Sequence, residues 1–216
     1  MPLQNRVTPL GEIIACNARG TFMGNRGGPL HDETKRLTGK RWVNKHWIAC
    51  VLDFRGRHRE VMAPRRYTEL FFLDEATAFA AGHRPCFECR RGDFNRYAGL
   101  WGEIRGRDRR GYVAEMDELM HSERLMPDRS KRLHPARLAE LPDGAFVMQN
   151  GKPHLILGET LLEWSPGGYS RARPRPPGGD VDLITPPSAV EVIAAGYPPV
   201  IHESAQKFAG TSPANP

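Results

Sequence analysis

The spacing of apolar positions changes several times along the chain, and each change marks an element. Trp47, Ala49 and Val51 alternate with Ile48, Cys50, Leu52 and Phe54, so residues 41–54 predict a strand buried on both faces. Arg55-Gly56-Arg57 turns it into a second predicted strand over 58–63, and 67–73 predicts a third. Asp74 then opens a short alanine-rich helix that Gly82 stops. Phe87, Phe94, Tyr97, Leu100, Trp101 and Ile104 fall on one helical stripe, and Pro85 suits a first turn, so the next helix is expected over 85–104. Val113, Met116, Leu119 and Met120 predict another over 112–125.

Beyond residue 140 the period drops to two. Residues 145–149 and 152–157 flank Asn150-Gly151, the strongest hairpin signal in the chain, and 160–164 and 165–169 continue the pattern. Residues 171–179, rich in Pro, Arg and Gly, read as a loop; 181–185 reads as a strand. Ser188 with Glu191 forms a capping box for a helix that stops at Gly196. Residues 78–85 and 192–199 share an Ala-Ala-Gly stop followed by proline, which is recurring helix-stop chemistry and not a duplicated domain.

The expected class is α+β: a zinc-stabilised β-hairpin/helix unit followed by a small β-rich, barrel-like C-terminal part. The segments are 1–40, glycine-rich and packed on the core; 41–110, basic and metal-binding; 111–140, helix and basic linker; 141–204, β-rich; and 205–216, a flexible tail. Gly20 to His31 lacks the Gly-Lys-Ser/Thr ending of a phosphate-binding loop, so it reads first as a surface loop.

Cys86 and Cys89 form a C-x-x-C pair, expected at the N-terminal turn of the second helix, where exposed N–H groups favour thiolates. That pair is half of a zinc site, since a structural zinc takes four ligands. His58 and Cys50 are the candidates for completion: His58 follows the predicted turn, whereas Cys50 sits in the predicted buried strand and is a core residue before it is a ligand.

From Phe71 to Cys89 the chain reads Phe-Phe-Leu-Asp-Glu-Ala-Thr-Ala-Phe-Ala-Ala-Gly-His-Arg-Pro-Cys-Phe-Glu-Cys. This stretch resembles the end of the metal-binding domain of Ada-type DNA-repair proteins, which carries an aromatic pair, a short helix, Ala-Gly-x-Arg-Pro-Cys-x-x-Cys and a basic helix. The resemblance implies a zinc-dependent DNA-binding unit with Cys86 and Cys89 as the second ligand pair. The family's first cysteine pair would fall on Arg55 and Arg59, which cannot hold zinc, so its methyl-transfer activity is not carried over.

Charge narrows the partners. Residues 1–140 carry 26 Lys and Arg against 18 Asp and Glu, a net +8, while 141–216 carry 5 against 7, a net −2. Residues 55–110 contain thirteen arginines and no lysine. Guanidinium forks grip phosphate oxygens in pairs, so Arg65, Arg66, Arg84, Arg90, Arg91 and Arg96 are the expected nucleic-acid contacts, mainly to phosphate. No apolar run reaches a membrane span, and four unevenly placed cysteines suit a reducing cytoplasm better than a disulfide framework. The functional expectation is a zinc-containing nucleic-acid-binding protein, with DNA ahead of RNA, serving repair or regulation. The alternative is a nucleic-acid-processing enzyme with a site between the N-terminal glycine-rich loop, His31, His58 and His121; Glu123, two residues from His121, points elsewhere on the helix.

Overall fold

Two six-stranded sheets share one short helix, α1 (Glu75–Ala80), in a computed structural model that describes residues 1–57, 60–107 and 112–208. Every residue of α1 is buried. Ala78 packs into the core of the first sheet, Ala76 and Ala80 into that of the second, and Phe79 against the other helices. Small side chains let three layers approach one helix, which accounts for its alanine-rich composition.

The first sheet joins β1 (Gln4–Val7), β2 (Ile13–Ala15), β3 (Phe22–Asn25), β4 (Ile48–Cys50), β5 (Leu70–Phe72) and β6 (Arg84–Pro85) in the order β2-β1-β5-β3-β4-β6. The pairs β1/β5 and β4/β6 are parallel and the others antiparallel. Residues 1–40 therefore supply three strands of the sheet. The long strand expected over 41–54 reduces to Ile48–Cys50, because the chain before it wraps around buried Trp47, whose indole N–H donates to the Asn44 carbonyl. Of the strand expected over 58–63, His58 and Arg59 lie outside the described residues, and 60–63 form a turn in which the Met62 N–H donates to the Glu69 carboxylate.

The second sheet holds β7 (His134–Arg137), β8 (Phe146–Gln149), β9 (Lys152–Leu157), β10 (Thr160–Ser165), β11 (Gly168–Pro174) and β12 (Asp180–Leu183), in the order β11-β10-β9-β8-β12-β7 and antiparallel throughout. It is open, with β11 and β7 as edges, and not the barrel the sequence suggested. Asn150 and Gly151 both take positive φ (51° and 73°), the turn that matches strand twist in the β8/β9 hairpin. Residues 171–174, expected in a loop, extend β11 along β10.

Helices α2 (Arg91–Ile104), α3 (Val113–Arg124) and α4 (Pro187–Ala194) pack together through Phe94, Tyr97, Trp101, Met116, Met120 and Val192. Gly82 ends α1 at φ +85°, and the His83 N–H reaches back to the Ala78 carbonyl. Pro85 opens no helix. The Arg84 N–H donates to Trp47 and the Cys86 N–H to Ala49, so the sheet takes this backbone while Pro85, which has no N–H to give, occupies the unbonded position between them. Ser188 is not a cap: its hydroxyl and N–H both donate to Glu123 of α3, which secures the start of α4 from outside. In the expected tail, Glu203–Phe208 form a 3-10 turn docked by Ser204 on the Tyr169 N–H and by buried Ala205. Residues 209–216 lie outside the described residues.

Candidate metal centre

The β4/β6 register creates the site. Ile48 pairs with Arg84 and Ala49 with Pro85, so the next residue on each strand, Cys50 and Cys86, emerges side by side. The turn after Cys86 brings back Cys89, and the three sulfurs lie within 4.8 Å of one another. They are the one group of three or more metal-ligating side chains among the described residues. A tetrahedral zinc with Zn–S bonds of about 2.3 Å needs sulfurs about 3.8 Å apart, a spacing this cluster accommodates. All three thiols are free. Cys16, the fourth cysteine, is not in the group.

Without metal the thiols share their protons unequally. Hydrogen bonds from Cys50 and Cys89 pull Cys86 down into the thiolate range. The same bond to Cys86, then that to Cys89 and burial, push Cys50 far up. Cys89 is also raised: its bond with Cys50 favours ionisation, but the bond with Cys86 and burial outweigh it. Of the three, Cys86 is the one whose surroundings favour ionisation. A divalent cation would replace the shared protons and make all three thiolates.

A cavity of about 380 Å³ adjoins the cluster, and all three cysteines form part of its wall. Met23, Asn25, Glu69 and Phe71 supply other parts, and an Arg57–Glu88 ion pair of 2.7 Å lies among the more exposed lining residues. A metal held by the three sulfurs would border this cavity. Neither the cavity nor Asn25 and Glu69 was legible beforehand, because their strands become neighbours of the cysteines only through non-local pairing. His58 lies outside the described residues.

The expected nucleic-acid contacts divide. Arg84 is buried and makes a two-pronged pair with Asp117, Nε to Oδ1 and Nη2 to Oδ2, each 2.7 Å. Arg90 is buried between Glu75 at 2.6 Å and Asp93 at 2.8 Å. Both are internal struts and offer no face to a phosphate. Arg65, Arg66, Arg91 and Arg96 are exposed; Arg91 lies over Phe87, and Arg96 donates to the Gly196 carbonyl.

Of the parts of the alternative enzyme site, those among the described residues are engaged in other contacts. His31 is buried with Nδ1 on the Thr68 hydroxyl and Nε2 at the Ala63 carbonyl, so both ring nitrogens are occupied. His121 is bonded to Arg124, and burial with that neighbouring cation lowers it to about 4. Glu123 is committed to Ser188. In the glycine-rich loop, a Cβ on Gly27 would meet the Asn44 side chain at 2.2 Å, so glycine there permits close packing of the 43–44 segment. Comparison with protein-family models, with curated proteins and with solved structures finds no significant match to this chain.

Proposed function

We propose that the protein binds zinc through Cys50, Cys86 and Cys89 and uses the metal to hold a nucleic-acid-binding surface in shape. The observation that carries this reading is the convergence of three thiols, within 4.8 Å of one another, from segments 36 residues apart. Zinc suits such a site because it accepts soft thiolates in tetrahedral geometry and brings no redox chemistry. The nucleic-acid part is supported by the net +8 of residues 1–140 and by exposed arginines, among them Arg57 on the cavity wall and Arg91 two residues after Cys89. DNA is the first candidate, from the local resemblance to Ada-type repair proteins. Thermal unfolding with and without a strong chelator tests the metal role: chelation should lower the midpoint, and added zinc should restore it. Titration with labelled nucleic acid tests the other half, and affinity should fall steeply with salt. An unchanged midpoint on chelation and no binding at low salt would refute the two halves.

A second reading is favoured by the cavity. A closed structural zinc has four protein ligands, whereas three thiolates beside a 380 Å³ space leave a position for an exchangeable ligand. In that case the metal would act as a Lewis acid toward a small molecule, with Asn25 and Glu69 as polar groups on the wall. Cobalt substitution separates the readings. The visible bands of a three-thiolate cobalt centre should shift when imidazole or azide is added, and a closed centre should not respond.

A further inference from the structure

Away from the cysteines, two clefts of about 340 Å³ each share Trp42 and Arg129 in their walls. Lys40 and Arg41 line one, and His121, Met126 and Arg132 help to line the other. The half-buried indole of Trp42 therefore stands between two cavities with four cations around it, and no carboxylate among the described residues lines either cleft. Asp128, in the same loop, is turned onto the Ser130 N–H and hydroxyl.

The platform is rigid from below. Trp42 meets His121 edge-on at 5.2 Å and lies 6.2 Å from Trp47. The guanidinium carbons of Arg26 and Arg124 sit 3.9 and 4.0 Å from the centre of the Trp47 ring, both within cation–π range. Arg26 donates to the Gly11 and Arg41 carbonyls and Arg124 to those of Gly82 and Lys45, so the two cations pin both ends of the 41–45 segment. Arg41 in turn donates to the Arg129 carbonyl at 2.6 Å, tying the two sides of the clefts together. Rigid support of one partly exposed aromatic ring within a ring of cations is what base stacking beside a phosphodiester chain requires.

We propose that this face binds single-stranded nucleic acid, with an unpaired base stacked on Trp42 and the flanking phosphates on Lys40, Arg41, Arg129 and Arg132. The proposal rests on the nucleic-acid reading above and moves the contact surface from the α2 arginines to the 40–43 and 126–132 loops. A paired duplex keeps its base faces covered and gains only the phosphate contacts.

The test is fluorescence anisotropy with a labelled single strand of about twelve nucleotides, its duplex, and inorganic polyphosphate as competitor. The full-length parent is compared with Trp42→Ala, Trp42→Phe, Arg129→Ala/Arg132→Ala and Arg91→Ala/Arg96→Ala. Trp42→Ala should weaken single-strand binding roughly tenfold, the loss expected for one stacked base, and leave duplex binding within about twofold. Trp42→Phe retains a ring and should bind between the two, which guards against Trp42→Ala failing to fold. The Arg129/Arg132 pair should cost more affinity than the Arg91/Arg96 pair. If the parent binds single strands but Trp42→Ala and the Arg129/Arg132 variant bind as well as it does, this surface is wrong and the nucleic-acid reading survives. If polyphosphate binds as tightly as the strand and Trp42 is indifferent to both, stacking is refuted. If the parent binds nothing at low salt, both readings fall.

Discussion

Replacing Arg84 by alanine should cost the protein stability and leave its surface chemistry intact. The guanidinium and the Asp117 carboxylate are joined by two hydrogen bonds of 2.7 Å, with side-chain exposures of only 5% and 3%. They connect β6, which carries the chain into Cys86, to α3. Removing the cation leaves Asp117 buried without its two-pronged partner; His46, 3.3 Å away and 59% exposed, and the nearby Arg124 remain to offset part of the charge. Breaking one side of such a pair costs about 3–5 kcal/mol. For a chain of this size each kcal/mol is worth about 2–4 °C, so the midpoint should fall by roughly 6–20 °C. Urea and thermal unfolding followed by circular dichroism, on parent and Arg84→Ala protein with equal metal content, measure the two quantities. A loss below about 1 kcal/mol would refute the internal role. So would unchanged stability with a selective loss of nucleic-acid affinity, which would return Arg84 to the surface the sequence first assigned it.

Asp74 should be equally intolerant. It is fully buried and accepts from the Thr77 N–H and hydroxyl, the Tyr169 hydroxyl and the His202 N–H, tying α1 to β11 and the C-terminal turn. Asp74→Ala orphans all four donors and should cost at least about 3 kcal/mol in the same unfolding assay. Acid should also destabilise the fold through His83, which burial, then Arg26 and Arg124, hold well below its usual range. Its contribution is complete above the unfolded value of about 6.5 and is lost below it, at up to about 1.4 kcal/mol per pH unit, because the unfolded chain takes a proton that the fold refuses. Glu75 and Glu123, raised chiefly by burial, have the opposite sign and offset part of the loss as pH falls. Unfolding free energies at pH 7.5, 6.5 and 5.5 check the slope; a rise toward acid would contradict a buried neutral His83.

Helices α2 to α4 and the β8/β9 hairpin were legible because their signals are local. Phe94, Tyr97 and Trp101 repeat at helical spacing, and Asn150-Gly151 fixes its own turn. The first sheet was not. Its strands hold two to four residues, too few to show a period, and β1 pairs with β5 more than sixty residues away. Cys86 and Cys89 were visible as a motif. Cys50 reads from sequence as core or ligand, and the fold makes it buried and a member of the cluster at once, a combination set by the β4/β6 register. Arginine misled for a related reason: composition counts Arg84 and Arg90 as basic surface, while Asp117 and Glu75, distant in sequence, draw them inside.

The central claim is that three thiols, two from a motif and one from a neighbouring strand, hold one zinc. Metal analysis with zinc-edge X-ray absorption, on protein purified without chelators, tests it most directly, with Cys50→Ser, Cys86→Ser and Cys89→Ser beside the parent. The parent should carry about one zinc per chain with three sulfurs at about 2.3 Å, and each variant should lose most of it. A metal-free parent, or a Cys50→Ser variant with undiminished zinc and sulfur count, would contradict the account.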